Sequence, residues 1–358
     1  MSDASNAGSF SIGRVLLLVV PLALLAWATR MYSGNLETDA QAHLERTMAT
    51  RLLGDVSASA TLDKKYPDAD GDLVADAPKD AGKLIDPKEV RFSYVASSDT
   101  ENEQEVWKDF IAALSERLGR PVTYVMHSDV DEQMRALSGG ELHVTAFATG
   151  EVPAAVNDAG FVPTACFADK DGNYSYSMKI IVPADSDIKE LADIKGKRMK
   201  FVRPRSNSGC TAAVVLLMKE HGLQPERDYS WGFSYGHENS IKGVADKQFE
   251  AAAVASDILD RMIANGAVEK DAIRVIYESE PFPPGVIGYA HNLTPELREG
   301  IRETLLGFKW EGTGLEKTYG TSGGVKFAPV DYEKDWKPVR KINKSGGELF
   351  AKIAPPAA

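Results

Sequence analysis

The chain reads as a two-lobed α/β protein, and three features of the sequence predict this. Strand-like and helix-like segments alternate from Arg91 to Phe147, and the alternation starts afresh from Met199 to Tyr277. The helix-like segments end on glycine stop signals such as Gly119, Gly139-Gly140 and Gly222. At 358 residues, 43% hydrophobic and 26% charged, the chain is long and apolar enough to bury one large core or two medium ones. Strand–helix–strand order implies parallel sheets wrapped by helices.

In chain order, Val15 to Ala28 (VLLLVVPLALLAWA) is a 14-residue apolar run between Arg14 and Arg30. It is short for a membrane span and right for a signal-peptide core. Ala26-Trp27-Ala28 offers an A-x-A cleavage site, whereas Pro21 and the weakly charged start suit an uncleaved anchor, so residues 1–30 are expected to be a membrane-targeting helix of one kind or the other. Either way the bulk is expected in the periplasm or at the cell surface. Residues 31–87 read as an acidic spacer, with a surface helix over Leu36–Leu53. Within it, Asp68, Asp70, Asp72 and Asp76 alternate around Gly71, a spacing that suits a hard cation such as calcium. The pattern departs from an EF-hand loop because Leu73 follows Asp72, so a solvated acidic linker is the favoured reading and calcium the alternative.

The first lobe is expected over residues 88–181, with 282–345 returning to it. Arg91–Ala96 is a strand, and Val106, Trp107, Phe110, Ile111, Leu114 and Leu118 share one helical face. A strand over Pro121–Met126 leads to Asp129 and Glu132, a capping box opening a helix, and Leu142–Phe147 is the third strand. The second lobe is expected over 182–281. Its strands are Met199–Val202, Tyr229–Tyr235, Phe249–Ala255 and Ile273–Tyr277, with helices from Thr211, Glu238 and Asp257. The stretch from Thr313 holds glycine-rich patches and Pro355-Pro356, and 346–358 reads as a tail.

The net charge of −11 argues against a nucleic-acid partner, and any bound anion must be held by local dipoles rather than a global positive field. Ligands of open α/β sheets sit beyond the carboxyl ends of strands. That rule gathers Thr149 and Gly150, then Ser206-Asn207-Ser208-Gly209 ahead of an apolar helix, then His237 and Ser240, then Asp257. Small hydroxyl residues at a helix N-terminus let an anion reach unpaired N–H groups. Asp257 would accept a bond from a protonated oxyanion. Each residue alone also reads as an ordinary helix cap or surface group; their shared placement after strands is what points to a site.

In five stretches the sequence resembles the phosphate/phosphite/phosphonate-binding proteins of ABC transporters, the PhnD type. They are MRALSGGELHVTAFATG, YSYSMKIIVPADSDIKELADIKGKRMKFV, SNSG, GHENSIKGVADKQFEAAAVASDILDRM and IRVIYESEPFPP. The match runs from about Val90 to Phe308. The resemblance implies a type II periplasmic-binding-protein fold, crossings near Ile181-Val182 and Ser279-Glu280, a permease partner and no enzymatic activity. It implies that Ser206, Asn207, Ser208, the Gly209 N–H, His237 and Asp257 receive the ligand. Asn207 departs from the family's Thr, and an aliphatic, Val130, stands where phosphonate binders have an aromatic, which favours inorganic phosphate or phosphite over a phosphonate. A sensing module of the same fold is the alternative role, and a Cys hydrolase with Cys210 as nucleophile and His237 as base is the remaining one. Whether Cys166 and Cys210 pair is left open.

Overall fold

In a computed structural model of the chain, the described residues are 24, 27, 30, 40, 42–53, 61–95, 102–320 and 323–353. The expected N-terminal targeting helix lies almost wholly outside them, and no described helix is long and apolar enough to cross a membrane.

Two mixed sheets carry the body. The first has strand order β11-β4-β10-β3-β1-β2, built from β1 (Val90–Ser93), β2 (Val122–Tyr124), β3 (Val144–Phe147), β4 (Phe161–Ala168), β10 (Val286–Ala290) and β11 (Lys326–Pro329). Its strands β1, β2 and β3 are parallel, while β10 runs antiparallel to β3 and β4. Helices α1 (Glu103–Leu118), α2 (Val130–Ser138) and α3 (Val152–Ala159) make the crossovers. The core of this lobe is aromatic: Phe92, Trp107 and Phe110 are fully buried, with Phe327 against them. The expected Asp129 cap is present, its Oδ1 accepting the Glu132 N–H at 2.8 Å, while Glu132 reaches back to the N–H of Ser128.

The second sheet runs β7-β6-β8-β5-β9, from β5 (Met178–Pro183), β6 (Arg198–Phe201), β7 (Ser230–Phe233), β8 (Ala251–Ala255) and β9 (Ile273–Glu278). Its helices are α4 (Ala212–Lys219), α5 (His237–Ala245) and α6 (Ser256–Ala264). The chain passes from the first sheet to the second between Ala168 and Met178 and returns between Glu278 and Val286. Met178 to Ile181, expected in the first lobe, therefore pair with β8 in the second.

Helix α4 explains its own composition. Ala212 to Met218 are all buried, so the helix is apolar on every side because it is covered on every side. One cover is the C-terminal helix α10 (Lys337–Ile353), which follows α7 (Pro295–Gly307), α8 (Gly314–Tyr319) and the short α9 (Tyr332–Asp335). A Cβ at Gly346 would lie 3.8 Å from Val215 and 3.5 Å from Leu53, so helices meet here through a glycine. Lys219 Nζ donates to the buried Ser345 hydroxyl at 2.8 Å. The expected tail boundary at 346 thus falls inside a continuous helix.

The spacer also differs from expectation. Residues 42–53 are helical, but Ala49, Leu52 and Leu53 are buried rather than exposed. Residues 61–85 dock on the first lobe: Asp63 N bonds Asn157 O at 3.0 Å, Tyr66 packs edge-on to His291 at 4.8 Å, and Ile85 bridges to Leu293. Val74 and Ala75 are buried, which a solvated linker would not do.

Candidate functional site

A cavity of about 450 Å³ lies between the lobes, where loops leave the carboxyl ends of β3, β6, β7 and β8. Of the sequence-predicted residues, Thr149, Ser206, Asn207, Ser208, His237 and Asp257 line it, and Gly209 and Ser240 do not.

The loop after β6 is built by its own residues. Ser206 is an N-cap whose Oγ accepts the Gly209 N–H at 3.2 Å, and its carbonyl accepts both the Cys210 and Thr211 N–H groups at 3.0 Å. The i to i+5 bond makes Asn207–Thr211 a π-helical turn rather than the plain helix start expected, a form common at functional sites. One correction follows. The Gly209 N–H is consumed by the cap, so it is not offered to a ligand; a Cβ there would lie 2.5 Å from Val202, which is why glycine is required. Ser206, having accepted a bond, keeps its own proton to donate.

Ser240 is fully buried and bonds Ser234 Oγ at 2.6 Å, tying α5 to the end of β7. It is structural. Cys210 is fully buried, with its thiol near Leu52 O and burial pushing its pKa well above the usual range. A thiol so placed is neither ionised nor reachable, which removes the nucleophile of the hydrolase alternative. Both cysteines are free.

His237 begins α5. Its Nδ1 accepts the Ala255 N–H at 3.1 Å, so the remaining ring nitrogen, Nε2, carries the proton of the neutral ring. Enclosure by protein lowers its pKa to about 3, helped by Arg203 and Arg261 nearby. Asp257, in the first turn of α6, is open to the cavity while protein surrounds it closely. Burial raises its pKa, opposed by the Ile258 N–H and Arg261. A carboxylate held toward its protonated form is suited to sharing a proton with a ligand.

Sequence reasoning missed four lining residues: Tyr176, Arg203, Arg261 and Tyr94. Tyr176 is at the centre of the cavity wall: Asn207 Nδ2 donates to its hydroxyl at 3.3 Å, and burial raises its pKa against the opposing effect of Thr149, Asn207 and Ser208. Arg203 and Arg261 line the cavity beside the carboxylates of Glu151, Glu238 and Asp257, so charged groups as well as dipoles set its field. Arg261 pairs with Glu238 at 2.9 Å. A signal for Arg261 was available, since it stands four residues after Asp257 on α6 and so on the same face. Tyr94, just beyond β1, supplies an aromatic from the first lobe away from Val130, while Phe147 is fully buried and only its neighbour Ala148 reaches the cavity.

The loop after β3 is held from afar. Thr149 Oγ1 donates to Pro283 O at 2.9 Å, which leaves it a lone pair but no proton for a ligand. The Thr149 carbonyl accepts the Trp336 Nε1–H at 3.1 Å, and Ala148 N donates to the buried Glu151 carboxylate at 2.9 Å. Gly150 touches the opposite lobe: a Cβ there would lie 2.1 Å from Arg205 O. Arg205 also pairs with Asp131 at 2.6 Å, so the lobes are closed on each other.

In the spacer, carboxylate oxygens of Asp68, Asp70 and Asp72 lie within 4.8 Å of one another. Asp76 turns away to accept the Ala69 N–H at 2.8 Å. Asp68 and Asp72 also accept backbone N–H groups of their own loop.

Two α/β lobes closing over a donor-lined cleft define a solute-binding protein of the type II periplasmic class. The chain belongs to the ABC transporter, phosphonate, periplasmic substrate-binding protein family, which residues 92–336 match. It is 21% identical over 225 residues to the phosphonates-binding periplasmic protein of Escherichia coli, covering 62% of this chain and 66% of that one. It is 24% identical over 226 residues to the phosphate-import protein PhnD of Mycolicibacterium smegmatis, covering 60% and 70%. Among solved structures, a binding-protein component of an ABC phosphonate transporter from Pseudomonas aeruginosa superposes with a TM-score of 0.62 at 18% identity, covering 76% of this chain and 91% of that one. PhnD1 of Prochlorococcus marinus in complex with methylphosphonate superposes at 0.60 and 15% identity, covering 72% and 98%. These structural likenesses establish the fold. The family is one of binding proteins rather than enzymes, and membership implies an extracytoplasmic location.

Proposed function

We propose that the chain captures a protonated phosphorus oxyanion, inorganic phosphate or phosphite ahead of a phosphonate, and delivers it to the permease of an ABC importer. One observation carries this reading: three hydroxyls, a neutral histidine N–H, two arginines and one carboxylate of raised pKa meet at a single interlobe cavity. Ser206 and Ser208 donate to ligand oxygens, and so does Tyr176, whose hydroxyl accepts from Asn207 and keeps its proton. Asn207 thus acts by propping Tyr176. Arg203 and Arg261 offset the ligand's charge, and Asp257 accepts the P–OH. The N-terminal apolar run delivers the chain across the membrane, as a cleaved signal or as an anchor.

A second reading, a small phosphonate, is favoured by Tyr94 and by the cavity's 450 Å³, which leave room for an organic group beyond the oxyanion. The two relatives, one named for phosphonates and one for phosphate, divide on the same question. Calorimetric titration with phosphate, phosphite, methylphosphonate and sulfate decides. Phosphate and phosphite are expected to bind tightest, and sulfate weaker by roughly 100-fold or more because a charged acceptor is left facing an anion. Tighter binding of methylphosphonate selects the second reading, and sulfate binding as well as phosphate overturns both.

A further inference from the structure

A second cavity, of about 360 Å³, lies where α10 meets α3 and residues 61–73 of the spacer. Its wall is divided by chemistry. Leu62, Leu73 and Tyr332 give it an apolar side, and Lys337, Lys341 and Lys344 stand along α10 at i, i+4 and i+7, the spacing that places side chains on one helical face. All three lysines are exposed, and none has a hydrogen-bond or ion-pair partner among the described residues. The neighbouring Arg340 is already committed, donating to the Tyr332 and Glu333 carbonyls with its guanidinium 4.9 Å above the Tyr332 ring.

Charge makes this arrangement informative. The chain has 52 acidic residues against 41 basic, yet no carboxylate lines this cavity among the described residues. Three lysines left unpaired in so acidic a protein, beside an apolar floor, create a local excess of positive charge next to an apolar surface. A bare inorganic anion would use the lysines and leave the floor wet, and a neutral apolar molecule would use the floor alone.

We propose that this cavity is a second ligand site, taking a small amphiphilic anion whose charged head sits among the α10 lysines and whose apolar body lies on Leu62, Leu73 and Tyr332. The site is independent of the interlobe cleft, with which it shares no lining residue. Calorimetric titration of the full chain with octanoate, acetate and 1-octanol tests it. Octanoate is expected to bind at least about tenfold more tightly than acetate, which lacks the body, and than octanol, which lacks the head. Saturating phosphate leaves octanoate binding unchanged. The exposed pair Lys341→Gln and Lys344→Gln together weaken octanoate about tenfold, and raised salt weakens it on the unaltered chain as well. Equal binding of octanoate and octanol, displacement by phosphate, indifference to salt and to the double substitution, or no octanoate binding at all overturns the proposal.

Discussion

The two loops that face each other across the cleft are held in opposite ways. In the second lobe, Ser206 to Ser208 are positioned by bonds spanning three to five residues, from Gly209, Cys210 and Thr211 back to Ser206. In the first lobe, Thr149 is positioned by Pro283 and Trp336, which lie 134 and 187 residues away in sequence. A locally built loop carries its geometry in its own composition, so it can be read from the sequence. A loop built by distant partners can be placed by rule, as following a strand, but what its side chains have left to offer a ligand cannot be read.

Substitutions at the two loops should separate these modes of support. Gly150→Val places a side chain against Arg205 O and should hold the cleft open, weakening ligand binding by about 3 kcal/mol, roughly 100-fold, while circular dichroism of the ligand-free protein stays native. Retained affinity would show that the lobes need not meet at Gly150. Ser208→Ala should cost about 1.5–3 kcal/mol of binding by calorimetry, with little change in stability, since it removes a donor to a charged acceptor. Ser206→Ala should lose as much binding and also about 1 kcal/mol of folding stability by denaturant titration, because this serine is the N-cap as well. Equal stability of the two variants would break the local half of the comparison. Trp336→Phe removes the long-range bond to Thr149 O and should cost about 1 kcal/mol in stability together with a measurable loss of affinity, although Trp336 does not line the cavity. Unchanged affinity there would break the distant half.

The same division separates what is legible in the sequence from what is not. The strands and helices with clear period and glycine stops, from Val90 to Phe147 and from Arg198 to Glu278, were readable because local pattern and final burial agree. Helix α10 was not, since Ser345-Gly346-Gly347 reads as a break; the glycine instead permits the close approach to Leu53 and Val215 that buries α4. The spacer's aspartates read as solvated, and docking through Tyr66 and Ile85 depends on first-lobe partners that no local window contains. At the site, Ser206, Ser208, His237 and Asp257 were found by placement after strands. Ser240 obeyed the same rule yet is spent on Ser234, and Tyr176 lies ahead of β5, where that rule does not look.

Asp257 carries the central claim, that the cleft selects an anion bearing a proton. Close enclosure by protein raises its carboxyl pKa above the usual value, so folding eases its protonation relative to the unfolded chain while leaving it an acceptor for a ligand P–OH. For the ligand-free protein the sign follows directly: the group's contribution to stability is complete below the unfolded carboxylate pKa and is lost as pH rises through the raised folded value. Asp257→Asn keeps the size, abolishes that pH dependence and exchanges an acceptor for a donor. The decisive measurement is the ratio of phosphate to sulfate affinity at neutral pH in the unaltered chain and in Asp257→Asn. A ratio that falls by roughly tenfold or more, through weaker phosphate and stronger sulfate binding, is the predicted result. A ratio that does not fall would contradict the selectivity role and leave Asp257 as a residue of the α6 first turn.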